Sequence, residues 1–311
     1  MKETAILKCV PIRLIQADIT NLDDLIIALR ESPGVDAVFH VAGIVPHRVG
    51  FSSADFHRIN TTGTENVIKA CHKCGVKRLI YTSSVAVVLG SDPMQVVDGA
   101  DESYPYPNNP LNAYVASKGA AEKLVRAANG KNGLLTCVLR PGGLYGGSDN
   151  PIMRSLMTER GAHPTRDYVF GLVPVGSTAR AHILAEKKLR TEGKDSVAAG
   201  KAYNLCLEDK ISLQAFLEYT ANMTGNPPPS SLPAWLFTLL GYVNDISFAL
   251  TRKAPFGAYL TAMAIQFMVS STFTSALALK ELGWEEFPPW QDVVKQVIEE
   301  YREEEKAKKL H

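Results

Sequence analysis

A tyrosine and a lysine four residues apart are the side chains whose types and spacing point most directly to chemistry. Tyr114 and Lys118 belong to the segment YVASK, and residues four apart in a helix share a face, roughly 5–6 Å apart at Cβ. A phenol with a pKa of about 10 is a weak acid–base group at neutral pH, but a neighbouring ammonium stabilises its phenolate. The pair predicts proton transfer to or from a carbonyl or hydroxyl oxygen, although chance produces this spacing in many helices.

A serine upstream strengthens this interpretation. Ser84 ends the run Thr82-Ser83-Ser84 within Arg78–Val88, an apolar segment that predicts a buried strand. Ligands of open α/β sheets bind beyond the carboxyl ends of the strands, so we expect Ser84 to hydrogen-bond a substrate oxygen there. The alternative is a serine bonded only to neighbouring backbone.

Apolar runs that alternate with helical patterns must position these side chains. The predicted helices include one after Asn21, which is its expected cap, and Tyr114–Ala128. This alternation predicts an α/β protein with a Rossmann-like doubly wound parallel sheet. The predicted strands are Ile12–Ile19, Asp36–Val45, Arg78–Val88, Leu134–Leu139 and Ala202–Leu207.

The character of the sequence changes from Ser212 onward, where helical and uncharged stretches dominate. We therefore predict a dinucleotide-binding domain over residues 1–208 and a smaller, mostly helical substrate domain over 209–311. Residues 147–170 are expected to contribute to the substrate side.

Composition excludes several classes of protein. The 311 residues carry a formal net charge of +1, and no basic stripe with interleaved aromatics indicates nucleic-acid binding. Five cysteines, an odd number, favour a reduced compartment. Cys71 and Cys74 form a lone C-x-x-C pair, so no metal site is predicted.

The ordered set of motifs resembles an extended short-chain dehydrogenase/reductase. The resemblance implies that Tyr114 is the acid–base residue, that Lys118 holds the nicotinamide ribose, that Ser84 orients the substrate oxygen and that Asn60 supports the lysine. The motifs are Asp18-Ile19, VFHVAG at 38–43, NTTGT at 60–64, YTSSV at 81–85, YVASKGAAEKLV at 114–125 and LRPGGLYG at 139–146.

The same resemblance implies a cofactor, NAD or NADP. Asp18 and Ile19 match the pair that contacts adenine, and Pro141-Gly142 matches the turn beside the nicotinamide. The remaining implied cofactor-binding residues are Ala42, Gly43, Ser83, Tyr114 and Lys118. The plainer interpretations are a turn at Asp18, a tight turn at Gly142-Gly143 and a hydrogen-bonded core histidine at His40.

Within the family, the second half resembles the branch of 3β-hydroxysteroid and sterol-4α-carboxylate 3-dehydrogenases. This branch implies a steroid or sterol-like substrate with a 3β-hydroxyl or 3-keto group, and residues 230–280 are as apolar as such a pocket requires. The motifs that carry the resemblance are AHILA at 181–185, YNL at 203–205, LPAW at 232–235, FTSA at 273–276 and LGW at 282–284.

One departure from the family pattern concerns phosphate binding. No glycine precedes Gly34, so the glycine-rich loop that presents backbone N–H groups to a pyrophosphate is missing from this sequence, together with its first βαβ unit. We expect this chain alone to bind dinucleotide weakly and the strand at Asp36–Val45 to form an open sheet edge. A second departure is PVGST at 174–178 in place of the pattern expected before Ala181.

Other functions remain open at this point. The alternatives are a nucleotide-sugar epimerase or dehydratase, which needs polar, arginine-bearing walls, and a catalytically inactive truncated isoform. Ala254–Leu279 contains no charged residue, and we predict a buried or interface-lying segment there rather than a membrane span. Further expectations are peripheral membrane association at the cytoplasmic face of the endoplasmic reticulum, or a cytoplasmic location, and a homodimer.

Overall fold

Four parallel strands form the central sheet. In the computed structural model, the described residues are 12–309 except 33, 93, 94, 96, 148–152, 154–161, 166, 167, 207–210, 228, 229, 257–259, 286 and 287. The strands of this sheet are β1 (Ala37–His40), β2 (Arg78–Thr82), β4 (Leu135–Pro141) and β9 (Ala202–Leu205). They lie in the order β1-β2-β4-β9, and each strand is parallel to its neighbours.

Helices cover both faces of this sheet, which explains why its inner strands read as continuous apolar runs. Tyr81 and Leu79 of β2 pack toward one helical layer, whereas Ile80 packs toward the other. The helices are α1 (Leu22–Arg30), α2 (Ser53–Phe56), α3 (Gly63–Cys74), α4 (Ala113–Ala128), α5 (Val175–Glu192), α6 (Leu213–Thr224), α7 (Ala234–Thr251), α8 (Ala262–Ile265), α9 (Ala276–Leu282) and α10 (Trp290–Lys309).

Short strands and turns complete the described part. A π-helical turn, His57–Thr62, joins α2 to α3. The short strands are β3 (Val97–Ala100), β5 (Gly143–Tyr145), β6 (Ala162–Pro164), β7 (Val169–Phe170), β8 (Leu172–Pro174), β10 (Ile211–Ser212), β11 (Ser230–Leu232) and β12 (Ser271–Phe273). Four of them form a mixed sheet in the order β10-β7-β12-β3.

The predicted strand at Ile12–Ile19 is wrong. Residues 12–18 form no strand, because a strand requires a hydrogen-bonded neighbour and none lies beside this segment in the described part of the chain. The Ile19 side chain instead packs on α3 at Gly63. The fit is close, since a Cβ atom added to Gly63 would lie only 2.8 Å from the Ile19 side chain. The helix after this segment does begin where expected, since the Asn21 side chain accepts the N–H of Asp23.

Two predicted strands are shorter than the apolar runs that suggested them. The run Arg78–Val88 divides into β2 and a 3₁₀ turn, Val85–Val88, which the Ser84 side chain caps. The run Asp36–Val45 contains only the four residues of β1, which lies at the edge of the sheet as expected. Phe39 is 46% exposed at this edge, so the run is less buried than a strand covered on both faces.

The C-terminal third is mostly helical, as predicted, but it also contributes to the core of the sheet. Strand β12 pairs with β3 and β7, and Trp284 packs in the same cluster as Ile80 and Tyr203. The predicted domain boundary at residue 208 and most of residues 147–170 lie outside the described residues, so the boundaries stay predictions. Among the helices that the structure describes, none is long and apolar enough to cross a bilayer.

Candidate active site

Tyr114 and Ser84 meet at the carboxyl end of the inner strand β2. Strand β2 ends at Thr82, so Ser84 follows it almost directly, and its side chain accepts the Ala86 N–H at 3.2 Å. Tyr114 lies in the first turn of α4, which begins where the Asn112 side chain accepts the Val115 N–H. The Tyr114 phenol and the Ser84 hydroxyl are neighbours, and Ser84 acts to lower the pKa of the phenol. The structure thus brings together the predicted acid–base residue and its predicted partner.

The environment of Tyr114 is aromatic and closed. Its ring stands edge-on to Phe56 and to Phe267, with centroid separations of 6.1 and 5.9 Å. Burial raises the pKa of the Tyr114 phenol, and the neighbouring Ser84 hydroxyl opposes this shift. The sequence predicted a pKa lowered by Lys118, and this structure has the opposite direction because burial disfavours the phenolate.

Lys118 directs its ammonium toward β2. Its Nζ donates to the Thr82 carbonyl oxygen at 2.7 Å and to the Tyr81 hydroxyl at 3.3 Å. Burial lowers the pKa of Lys118 to about 8, and the negative charge of Glu122 opposes the shift. The ammonium is therefore held by neutral oxygens rather than by a carboxylate in direct contact.

Asn60 joins the loop after β1 to the helix of Tyr114. Its Oδ1 accepts the Ile44 N–H at 2.8 Å, and its Nδ2 donates to the Ile44 carbonyl and to Ser117 Oγ, both at 3.1 Å. Glycine is suited to position 43, since an added Cβ would lie 3.0 Å from Asn60 Oδ1 and 3.7 Å from Lys118 Nζ. Asn60 thereby fixes the surroundings of Lys118 through its amide, and its role in catalysis stays a prediction.

The other residues predicted to bind the cofactor lie in several places outside the group formed by Tyr114, Ser84 and Lys118. Ala42 and Gly43 are exposed beyond β1. Asp18 is exposed and accepts the Thr20 N–H at 2.8 Å, in a turn before α1. At Gly142, which follows buried Pro141, an added Cβ would lie 2.9 Å from Cys206 Sγ. The cofactor roles assigned to these residues, and to Ile19, stay predictions.

Ser83 belongs to a buried ionic network that sequence reasoning missed. Its hydroxyl donates to Glu122 at 2.6 Å, and Arg140 forms an ion pair with the same carboxylate at 2.6 Å. The hydroxyl of Tyr106 also donates to Glu122, at 2.8 Å. Two signals could have found this network: Glu122 lies one turn after Lys118, and Arg140 interrupts an apolar strand.

Two buried histidines flank β2 as neutral groups. His40 contacts Thr64 Oγ1 at 2.9 Å, and burial lowers its pKa to about 3, so the prediction of a hydrogen-bonded core histidine is confirmed. On the opposite face, His182 contacts Thr82 Oγ1 at 2.6 Å and the Thr178 carbonyl at 2.8 Å. The Thr178 carbonyl can only accept, so His182 Nδ1 carries the proton and Nε2 accepts from Thr82.

Comparison with known proteins identifies relatives of this chain. The sequence model of the 3-beta hydroxysteroid dehydrogenase/isomerase family matches residues 2–233. The chain is 31% identical to 3beta-hydroxysteroid-dehydrogenase/decarboxylase isoform 1 of Arabidopsis thaliana over 306 residues, covering 93% of this chain and 67% of that protein. For isoform 2 the identity is 30%, and the match spans only 52% of that protein.

Solved structures share the fold. The UDP-glucose 4-epimerase of Thermus thermophilus, solved with NAD, superimposes with a TM-score of 0.68 at 21% identity, covering 94% of this chain and 86% of that one. The predicted Rossmann-like class is confirmed, and the predicted nicotinamide cofactor agrees with this neighbour. The match of the family model over most of the chain, together with the Arabidopsis relatives, confirms the predicted dehydrogenase branch: this chain belongs to the 3-beta hydroxysteroid dehydrogenase/isomerase family.

Proposed function

We propose that the chain belongs to an NAD(P)-dependent oxidoreductase that acts on the 3β-hydroxyl or 3-keto group of a steroid or sterol-like substrate. One observation carries the proposal. Tyr114 lies beside Ser84 at the carboxyl end of β2, with Lys118 one helical turn away. This is an acid–base group with an orienting hydroxyl at the edge where open α/β sheets bind ligands.

The chemistry of these residues follows from their protonation. A raised pKa keeps the Tyr114 phenol protonated near neutral pH, so it can donate its proton to a 3-keto oxygen. In the opposite direction its phenolate accepts the proton of the 3β-hydroxyl. Ser84 orients the substrate oxygen at carbon 3 in both directions. A bound nicotinamide would supply or accept the hydride.

The residues on the nicotinamide side are compatible with a cofactor. Ala42 and Gly43 are exposed at the end of β1, and the missing side chain of Gly43 leaves the approach to Lys118 Nζ open. Lys118 would hold the ribose hydroxyls through its ammonium. These contacts serve NAD and NADP equally.

Aromatic and apolar surroundings favour a sterol-like substrate over a nucleotide sugar. Phe56 and Phe267 contact the ring of Tyr114, and Met263 packs in the same cluster. The names of the Arabidopsis relatives include both dehydrogenase and decarboxylase activities. On a substrate with a 4-carboxylate, oxidation at carbon 3 yields a β-keto acid, which loses carbon dioxide readily.

The test is turnover by purified protein at high concentrations of NAD or NADP, because the sequence predicts weak dinucleotide binding. Steroid turnover is followed through the absorbance of the reduced nicotinamide, and conversion of UDP-glucose is followed by chromatography, since epimerisation leaves no net reduced cofactor. We expect turnover with 3β-hydroxysteroids or 3-ketosteroids and none with UDP-glucose. Tyr114→Phe should reduce turnover roughly 10²–10⁴-fold with little effect on cofactor binding, whereas Lys118→Ala should impair both. Tyr203→Phe is the matched control, since Tyr203 is equally buried and its hydroxyl donates to Glu281, away from the site.

Two outcomes would contradict this assignment. Normal turnover by Tyr114→Phe would show that the proton moves through another group. Conversion of UDP-glucose in preference to steroids would support the alternative of a nucleotide-sugar enzyme.

We also propose that the protein binds the cytoplasmic face of the endoplasmic reticulum peripherally, through α7. An exposed apolar stripe follows one side of this helix, and Arg252 and Lys253 lie at its end. The predicted segment Ala254–Leu279 contributes less, because Met263 and Phe267 pack inward beside Tyr114. The stripe comprises Trp235, Leu239, Tyr242, Val243, Ile246 and Leu250, which are 42–79% exposed.

A further inference from the structure

Tyr81 places a buried hydroxyl beside the ammonium of Lys118. The Lys118 Nζ lies 3.3 Å from this hydroxyl and 4.8 Å from the centroid of the ring. Tyr81 is completely buried and pairs in register with His40 on one side and Val138 on the other. Because Tyr81 lies in an inner strand, its movement is restricted, and its hydroxyl is a fixed partner for the flexible Lys118 side chain.

The direction of the hydrogen bond between Lys118 and Tyr81 follows from the two groups themselves. A lysine ammonium can only donate, so the Tyr81 oxygen accepts from Lys118 Nζ. The Thr82 carbonyl oxygen accepts from the same ammonium at 2.7 Å. Both acceptors belong to β2, so this strand holds the ammonium at two points.

The π-helical turn before α3 borders the opening beside Gly43. Asn60 lies within His57–Thr62, where the backbone departs from the α-helical hydrogen-bond pattern. Such turns occur frequently at functional sites. The amide of Asn60 fixes the loop at Ile44, next to Gly43, and the Thr64 hydroxyl donates to its carbonyl oxygen.

We propose that Tyr81 is a positioning residue for Lys118: its hydroxyl accepts a hydrogen bond from the ammonium and holds the ammonium toward the opening beside Gly43. This concerns the same site as the proposed function and rests on it for its catalytic meaning. The Tyr81 hydroxyl is a neutral acceptor, whereas a carboxylate in this place would neutralise the ammonium. The hydroxyl holds the cation in place and leaves its charge available to a ligand.

The test measures the titration of Lys118 directly by NMR of protein containing ¹³C-labelled lysine, with Lys118→Arg to assign the signal. The charged or titratable groups facing Lys118 are Tyr81, His40 and Glu122. In Tyr81→Phe the ring remains but the acceptor is lost, so the titration midpoint should fall by roughly one pH unit. Tyr203→Phe should leave it unchanged.

Lys118→Met supplies an independent arm, which also decides the matter if Tyr81→Phe does not fold. Removal of the ammonium takes a hydrogen-bond donor from the Tyr81 hydroxyl, so the ¹³Cζ signal of labelled Tyr81 should shift, whereas Lys123→Met, at an exposed lysine beside Tyr106, should leave it unchanged. An unchanged midpoint in folded Tyr81→Phe, or an unchanged Tyr81 signal in Lys118→Met, would overturn the proposal. Absence of steroid turnover in the unmodified protein, with the shift of the midpoint intact, would contradict only the proposed function.

Discussion

The ring of Phe267 stands edge-on to the ring of Tyr114, with 5.9 Å between the two centroids. The C-terminal segment thus covers a residue that the N-terminal part of the chain supplies. Two hydrogen bonds hold this cover in place: Thr261 Oγ1 donates to the Pro46 carbonyl at 2.7 Å, and Asn112 Nδ2 donates to Gln266 Oε1 at 3.1 Å. The surroundings of Tyr114 therefore depend on contacts between segments that are remote in sequence.

Phe267→Ala should open this cover. Because burial is the main cause of the raised pKa of Tyr114, access of water should lower that pKa toward its ordinary value of about 10. We also expect a higher KM for apolar substrates, since an aromatic contact is lost. Steady-state kinetics over the alkaline range measure both effects. Phe256→Ala is the control, because Phe256 is 45% exposed in the same region, and equal effects of the two substitutions would contradict the prediction.

The two directions of reaction should depend on pH in opposite ways. Tyr114 has a raised pKa, so its phenolate fraction increases about tenfold per pH unit below that pKa. The kcat/KM for 3β-hydroxyl oxidation should therefore rise through the alkaline range, while that for 3-ketone reduction stays level and then falls. Ser84→Ala removes a hydroxyl that lowers the pKa of Tyr114, so the inflection should move to higher pH. An inflection that moves to lower pH would argue against the Ser84–Tyr114 pair.

Glu122→Gln should destabilise the fold far more than a comparable surface substitution. Glu122 and Arg140 are 0% and 2% exposed, and breaking a buried ion pair leaves an uncompensated charge at a cost of about 3–5 kcal/mol. The exposed pair of Arg180 and Glu285 is the control, for which Glu285→Gln should cost roughly 1 kcal/mol or less. Urea unfolding of the three proteins measures both values. Similar midpoints for the two variants would show that the buried network contributes little.

His40 should make the protein less stable in acid. Its pKa is about 3 in the folded protein and about 6.5 in an unfolded chain, so below 6.5 the unfolded state binds a proton that the folded state does not. This difference should remove about 2 kcal/mol of stability between pH ~7.5 and pH ~5. His40→Gln should lose less stability over this interval than the unmodified protein. His57→Gln, at an exposed histidine, should behave like the unmodified protein, and the prediction fails if His40→Gln does too.

The apolar stripe of α7 should mediate binding to vesicles. Leu239→Lys combined with Ile246→Lys places charge on the exposed face and should abolish co-flotation with vesicles of endoplasmic-reticulum lipid composition. Ile183→Lys is the control, since Ile183 is 63% exposed on α5. Flotation that survives the double substitution would exclude α7 as the binding surface. A double variant that no longer self-associates, with flotation intact, would indicate that the stripe is a dimer interface.

Much of the site was predictable because it depends on local order. The helix of Tyr114 and Lys118 begins at a capping asparagine, and Ser84 follows a β-branched and aromatic segment that ends in hydroxyl residues. These relations follow from helical periodicity and from strand propensity, which short stretches of sequence contain. The absence of a strand at residues 12–19 was not predictable in this way, because pairing depends on a neighbour and not on the segment itself.

The sequence by itself determined the family, the four strands of the sheet and the places of Tyr114 and Lys118 on one helix and of Ser84 after a strand, since motif order and apolar periodicity are local properties of the chain. The tertiary structure alone decided the state of these groups. Burial by Phe56 and Phe267 reversed the expected shift of the Tyr114 pKa, and Tyr81 became the partner of Lys118. Electrostatic energies depend on distance, burial and hydrogen-bond direction, and these arise only when segments remote in sequence pack together.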